Sequence, residues 1–172
     1  MAEGDADRQR FERWYLESRA ALLAAAYFYV GNVHDAADLT QETYARAWQH
    51  WDQVSQHANR EAWIRQVLHN LVVARWRRLR LERSRPAVVA FATDPPDAVH
   101  LDIARLVARL PAKQRRALIL HDILDLPIDD VAAEMKAPAG TVRSWLSRGR
   151  ATLLAQREAP PTPVTREQPV NE

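Results

Sequence analysis

The chain has 172 residues, 47% of them apolar, with 24 Lys and Arg against 22 Asp and Glu for a formal net charge of +2. That length supports one domain or two small ones with a packed core. The absence of cysteine excludes disulfides, cysteine-ligated zinc, iron–sulfur clusters and thiol nucleophiles, and it fits a reducing, cytoplasmic compartment. The longest apolar stretch, Ala20 to Val30, falls short of the roughly 20 residues that span a bilayer, and no signal-peptide pattern opens the chain, so neither secretion nor membrane embedding is expected.

The near-neutral total conceals segregation. Residues 60–85 hold 8 basic and 2 acidic side chains, and residues 136–157 hold 5 and none. Two short blocks therefore carry the excess positive charge.

In chain order, a first helix is expected from about Asp7 to Val30, packing through Phe11, Tyr15, Leu22 and Ala26 and stopping at Gly31-Asn32, a good C-terminal cap. From Ala36 to Trp51, the residues Ala36, Leu39, Thr40, Thr43, Tyr44, Ala47, Trp48 and Trp51 recur at helical spacing. They leave Asp35, Asp38, Gln41, Glu42 and Gln49 pointing outward. A further stripe, Ile64, Val67, Leu68, Leu71 and Val72, places Gln66, His69, Asn70, Arg77 and Arg80 on the opposite face. Prolines 86, 95 and 96 block helix propagation and mark a linker. Four helices follow: His100 to Leu110, Pro111 to Leu124, Pro127 to Met135 and Pro138 to about Gln156, with prolines 111, 127 and 138 where a first turn tolerates a missing N–H.

No convincing strand is found, so the expected fold is all-α. Two small helical domains, over 7–85 and 100–157, are joined by a proline-containing linker over 86–99, and a proline-rich tail over 158–172 reads as disordered.

The segment from Leu126 to Arg150 has helix-turn-helix spacing. On its second helix Val142, Leu146, Gly149 and Leu153 share one face, and Ser144, Ser147 and Arg148 lie opposite, flanked by Thr141 and Arg143. Hydroxyls and guanidiniums reach phosphates and base edges in a major groove. An ordinary amphipathic helix with a basic face is the alternative. The other basic block, Arg75 to Arg85, reads either as a solvated helix end or, with the preceding polar loop Ser55 to Trp63 and the exposed Gln66, Asn70 and Arg77, as a place for an unstacked base. The acidic face of the second helix would repel DNA and suits a basic protein partner, or it is a solvated face favoured by the helix dipole. Catalytic signatures are missing: there is no His-Glu-x-x-His, no phosphate-cradling glycine loop and no nucleophile elbow. No catalytic residue, metal site or cofactor is expected.

Three stretches taken together resemble one family. They are Asp35-Ala-Ala-Asp-Leu-Thr-Gln-Glu-Thr-Tyr-Ala-Arg-Ala-Trp48, then Ala62-Trp-Ile-Arg-Gln-Val-Leu-His-Asn-Leu71, and Leu110-Pro-Ala-Lys-Gln-Arg-Arg116 running on through Gly140-Thr-Val-Arg-Ser144 to Arg150. Their order and separation, over roughly residues 8–157, are similar to those of bacterial RNA polymerase sigma factors of the extracytoplasmic-function type.

The resemblance implies a promoter-specific initiation factor. Its partners would be promoter DNA and the RNA polymerase core, through the clamp helices of the largest subunit and the flap region. Many relatives are held by an anti-sigma factor, a partner open to this chain as well. By the family pattern, Asp35, Asp38, Leu39, Gln41 and Glu42 face the polymerase. A loop at His57, Ala58, Asn59 and Arg60, supported by Trp63, Gln66, Asn70 and Arg77, takes a flipped minus-ten base. Thr141, Arg143, Ser144, Ser147 and Arg148 read the minus-thirty-five element. Three positions depart from the pattern: Trp145 replaces a basic residue, Lys136 a turn glycine and Gly149 a helical alanine. The rival readings are a stand-alone dimeric helix-turn-helix regulator and a helical adaptor that binds protein alone.

Overall fold

The computed structural model describes residues 2–83 and 98–158. Residues 86–97 of the expected linker and the tail beyond residue 158 lie outside the described residues. Within them are eight α-helices, α1 (Ala2–Val30), α2 (Val33–Gln49), α3 (Trp51–Ser55), α4 (Arg60–Arg83), α5 (Ala98–Arg109), α6 (Ala112–Leu118), α7 (Ile128–Met135) and α8 (Ala139–Glu158), with a π-helical turn at Ile119–Ile123 after α6. No strand occurs among the described residues.

Local chemistry sets the helix ends. Gly31 takes a positive φ of 69° and its N–H donates to the Tyr27 carbonyl at 2.7 Å, closing α1. Asn32 turns to the next helix, its side-chain oxygen accepting the Asp35 N–H at 3.0 Å. Asn59 does the same for α4 through the Ala62 N–H at 2.8 Å. Pro111 and Pro127 cap α6 and α7 one residue before the first turn. At the end of α7, Lys136 is left-handed (φ 51°), while the Ala137 N–H reaches the Ala132 carbonyl at 3.0 Å and the Lys136 N–H the Ala133 carbonyl at 3.3 Å. This is the doubly bonded cap that favours glycine, here made by a lysine.

Helices α1, α2 and α4 pack together, and α6 and α7 both pack on α8. The first group centres on aromatic rings: Phe11 meets Trp14, Tyr44, Trp48 and Trp51 edge-on, with centroids 5.0–6.3 Å apart. The second centres on Leu118, Val131, Val142 and Leu146, and Gly149 lets α8 close on α6, since a Cβ there would lie 2.7 Å from Leu118 Cδ1.

Two expectations are corrected. The helix expected over Ala36 to Trp51 breaks at His50, and Trp51 opens α3. The helix expected over Pro111 to Leu124 widens into the π-turn, where the Leu124 N–H bonds to Ile119 O at 3.0 Å, and Leu124 packs on the core.

The two helical groups are not held apart. α1 also packs against α5 and the π-turn, and the buried side chains from Trp14 to Leu146 form one continuous cluster. At Gly31 a Cβ would stand 3.2 Å from Arg105 Cα, a tight contact, so the close approach of α5 also favours glycine there. Polar contacts join the rest of the seam. Arg65 grips Glu134 with two nitrogens at 2.8 and 3.0 Å, Arg116 donates to Gln66 Oε1 at 2.8 Å, and the Arg115 guanidinium stands 5.0 Å from the Trp76 ring centroid. His69, expected to face outward, is half-buried with an unpartnered buried Nδ1. Burial, and then the charges of Arg116 and Arg115, push its pKa down to about 4.

Three outcomes follow, all readable by thermal and urea unfolding. Gly31→Ala is expected to destabilise by about 1–2 kcal/mol, because it loads a left-handed residue and presses on Arg105. Lys136→Gly is expected to stabilise by up to about 1 kcal/mol. For His69, the folded pKa lies below the unfolded value, so the unfolded chain binds the extra proton between about pH 6.5 and 4. Stability should fall as pH drops through that window, and His69→Gln should flatten the fall.

Candidate functional site

The helix-turn-helix comprises α7, the Lys136 turn and α8. Val142 and Leu146 are buried, and the opposite face leaves Arg143, Ser147 and Arg148 exposed with Thr141 and Ser144 half-buried beside them. Neither Arg143 nor Arg148 has an acidic partner among the described residues. Their charge is therefore available to a polyanion. Arg150 differs: Asp122 holds it with contacts of 2.5 and 3.1 Å and raises its pKa, fixing α8 to the π-turn. Trp145, at the position where the family pattern has a basic residue, is half-buried, and the Lys113 ammonium lies 5.3 Å from its ring centroid. Sequence periodicity had no access to this pair, because the two residues lie on different helices.

The second basic region is a strip along α4 and the turn before it. His57, Ala58 and Asn59 are exposed, and His57 Nδ1 accepts the Asn59 N–H at 3.1 Å, so the turn is ordered by its own side chains. Arg60 extends over the Trp14 ring at 5.9 Å. Trp63, Gln66, Asn70 and Arg77 follow at spacings of three, four and seven on one side of α4. Gln66 Nε2 donates to Asn70 Oδ1 at 2.9 Å, while its carbonyl oxygen is taken by Arg116. Gln66 is thus half-buried rather than free, because the second helical group leans against this edge of α4.

On α2 the surface is formed by Asp38, Gln41 and Glu42, with Glu42 paired to Arg46 at 2.7 Å. Asp35 is half-buried and tied to Arg75 at 2.5 Å. Leu39, at 4% exposure, belongs to the core, as its place in the apolar stripe implies, and holds α2 in position behind this surface. Trp48 is the residue that departs from the expectation. The apolar stripe counted it as buried, yet it is 45% exposed on the flank of α2 that carries Gln41, with Phe11 stacked edge-on behind it at 5.0 Å. Large exposed aromatics are frequent anchors at protein interfaces, so Trp48 extends the candidate surface.

Among the described residues no group of three His, Asp or Glu side chains could hold a metal ion, and no helix is long and apolar enough to cross a membrane.

Residues 14–82 match the family described as Sigma-70 region 2, and residues 100–153 match Sigma-70, region 4. The chain is 31% identical over 141 residues to the ECF RNA polymerase sigma factor SigC of Mycobacterium tuberculosis, covering 76% of this chain and 74% of that protein. It is 34% identical over 139 residues to the ECF RNA polymerase sigma factor SigE of Mycolicibacterium smegmatis, covering 74% of this chain and 54% of that longer protein. Among solved structures, the sigma factor RpoE of Bartonella quintana, in complex with the anti-sigma factor NepR, superposes with a TM-score of 0.73 at 27% identity, over 88% of this chain and 98% of that one.

Proposed function

The chain belongs to the extracytoplasmic-function family of RNA polymerase sigma factors, and from that premise we propose how its surfaces divide the work. The exposed face of α2, with Asp38, Gln41, Glu42 and the newly recognised Trp48, docks on the clamp helices of the largest polymerase subunit, while Asp35 is braced by Arg75 and Leu39 supports from the core. The turn at His57, Ala58, Asn59 and Arg60 and the α4 strip of Trp63, Gln66, Asn70 and Arg77 take the opened minus-ten strand. Thr141, Arg143, Ser144, Ser147 and Arg148 on α8 enter the major groove of the minus-thirty-five element, with the second domain against the polymerase flap.

The observation that carries this reading is the charge layout. Two basic faces lie on separate helical groups, with unpaired guanidiniums on α8, and an acidic face that DNA would repel lies on α2. The protein performs no bond chemistry of its own; the polymerase it positions does. It acts in the cytoplasm, and an anti-sigma factor is a partner open to it, as NepR is for RpoE of Bartonella quintana. Trp145 contributes by holding Lys113 at the edge of the groove-facing helix, so that the ammonium stands in for the basic side chain of the family pattern.

The deciding experiment is run-off transcription from a promoter library by bacterial core polymerase with and without the protein. New start sites that depend on the protein are expected; their absence, with no binding to core, would end this reading. Asp38→Arg should weaken binding to core by at least about tenfold, and Arg148→Ala should weaken promoter binding by about 1–3 kcal/mol with relaxed preference at the minus-thirty-five element. Lys113→Ala should instead weaken holoenzyme binding to all promoters about equally and lower the salt slope by about 1.

A further inference from the structure

On α8 the residues Arg143, Ser147 and Arg150 stand four and then three positions apart, so they follow one another along one side of the helix, and all three are exposed. The two cations of this row differ. Arg143 has no acidic partner among the described residues. Arg150 is bound by both oxygens of Asp122, through Nε at 3.1 Å and Nη2 at 2.5 Å. A row that begins with a free positive charge therefore ends in a neutral pair.

The carboxylate comes from the π-turn. There the Leu124 N–H reaches Ile119 O at 3.0 Å, and the His121 ring donates from Nδ1 to the Leu126 carbonyl at 2.8 Å, so the chain is held on both sides of Asp122. Such turns are uncommon and concentrate at functional sites. The position of α8 depends little on the pair, because Val142, Leu146 and Gly149 already seat the helix from its buried face. Stability depends little on it either, since the two side chains are 50% and 31% exposed and water screens their attraction. Its main effect is on charge. A guanidinium fork grips a phosphate in the same two-pronged way as a carboxylate, so Arg150 on Asp122 is closed to the DNA backbone.

We propose that Asp122 limits sequence-independent binding by the α8 surface: in holding Arg150 it withholds one phosphate contact from the row that Arg143 begins. The inference rests on the assignment of α8 to the minus-thirty-five element, and neither Asp122 nor Arg150 belongs to the residues assigned there. A phosphate contact raises affinity for every sequence alike, whereas base-edge contacts carry the discrimination. Wrong sites vastly outnumber right ones in a genome, so a cation that reads no base is better silenced than free. Asp122 does this without altering the reading side chains Arg143, Ser144, Ser147 and Arg148.

The test uses full-length protein assembled with bacterial core polymerase. Its DNA is a promoter fragment from the run-off selection and the same fragment with the minus-thirty-five element scrambled, and anisotropy follows binding between about 50 and 200 mM salt. Asp122→Asn keeps the side-chain shape and removes the charge. It is expected to tighten binding to both fragments by about threefold and to steepen the salt slope by about 1. Asp122→Asn/Arg150→Gln should return affinity and slope to wild type, because the released cation is gone. Circular dichroism confirms that each variant is folded. Weaker binding in Asp122→Asn that the double variant shares would make the pair a brace for α8 and overturn the proposal, as would tightening confined to the intact fragment. Arg148→Ala runs in parallel. If it loses the preference for the intact element while Asp122→Asn changes nothing, the proposal fails and the α8 assignment stands; if neither variant changes binding, the α8 assignment fails and the proposal with it.

Discussion

Helix α1 has to satisfy two bodies of protein at once, and the rest of the structure depends on it. Its earlier half supplies Phe11, Trp14 and Tyr15 to the aromatic centre shared with α2 and α3, and its last turns, apolar on nearly every side, are gripped by α4 on one flank and by α5 and the π-turn on another. Of the run from Ala20 to Val30, Leu22, Ala25, Ala26 and Tyr29 are buried while Ala20, Ala21 and Leu23 stay exposed, and Gly31 ends it where α5 approaches closely.

This continuity of core gives the molecule its electrostatic character. Acidic and basic surfaces that would otherwise be independent are set against each other: Asp35 braces Arg75, Glu134 holds Arg65, and Asp122 holds Arg150. Among the described residues, the guanidiniums left without an acidic partner include Arg143 and Arg148 on the outer face of α8 and Arg77 and Arg78 on α4. Pairing some arginines and leaving others free is how a chain of nearly zero net charge presents a local polyanion-binding face, because screening over about 10 Å keeps distant carboxylates from cancelling it.

The seam also explains the unusual groups in the interior. Arg115 is buried, donates to the Ala108 carbonyl at 2.5 Å and lies on Trp76, while His69 stays neutral between two guanidiniums and the Tyr29 ring. Burying such groups is tolerable only where cation–π contacts and backbone carbonyls replace water. The small departures from family pattern are absorbed in the same way. Gly149 makes room for Leu118, Trp145 carries Lys113, and only Lys136 stands in a left-handed conformation with no compensating contact among the described residues.

Helix existence, the helix-turn-helix and the stripe Val142, Leu146, Gly149 were legible in the sequence, because side chains three and four apart lie on one face whatever surrounds the helix. Capping was equally legible where it is local, as at Gly31, although Asn32 turned out to serve the helix that follows. The family was legible because three motifs occur in order, and that order is a property of the chain itself. Tertiary structure alone decided what depends on distant residues: the exposure of Trp48, the half-burial of His69 and Gln66, and the packing of two helical groups into one core. Periodicity says which residues share a face of a helix. It carries no information about how many other helices will want that face, since those partners lie 50 to 70 positions away in sequence, as Gln66 from Arg116 and Arg65 from Glu134.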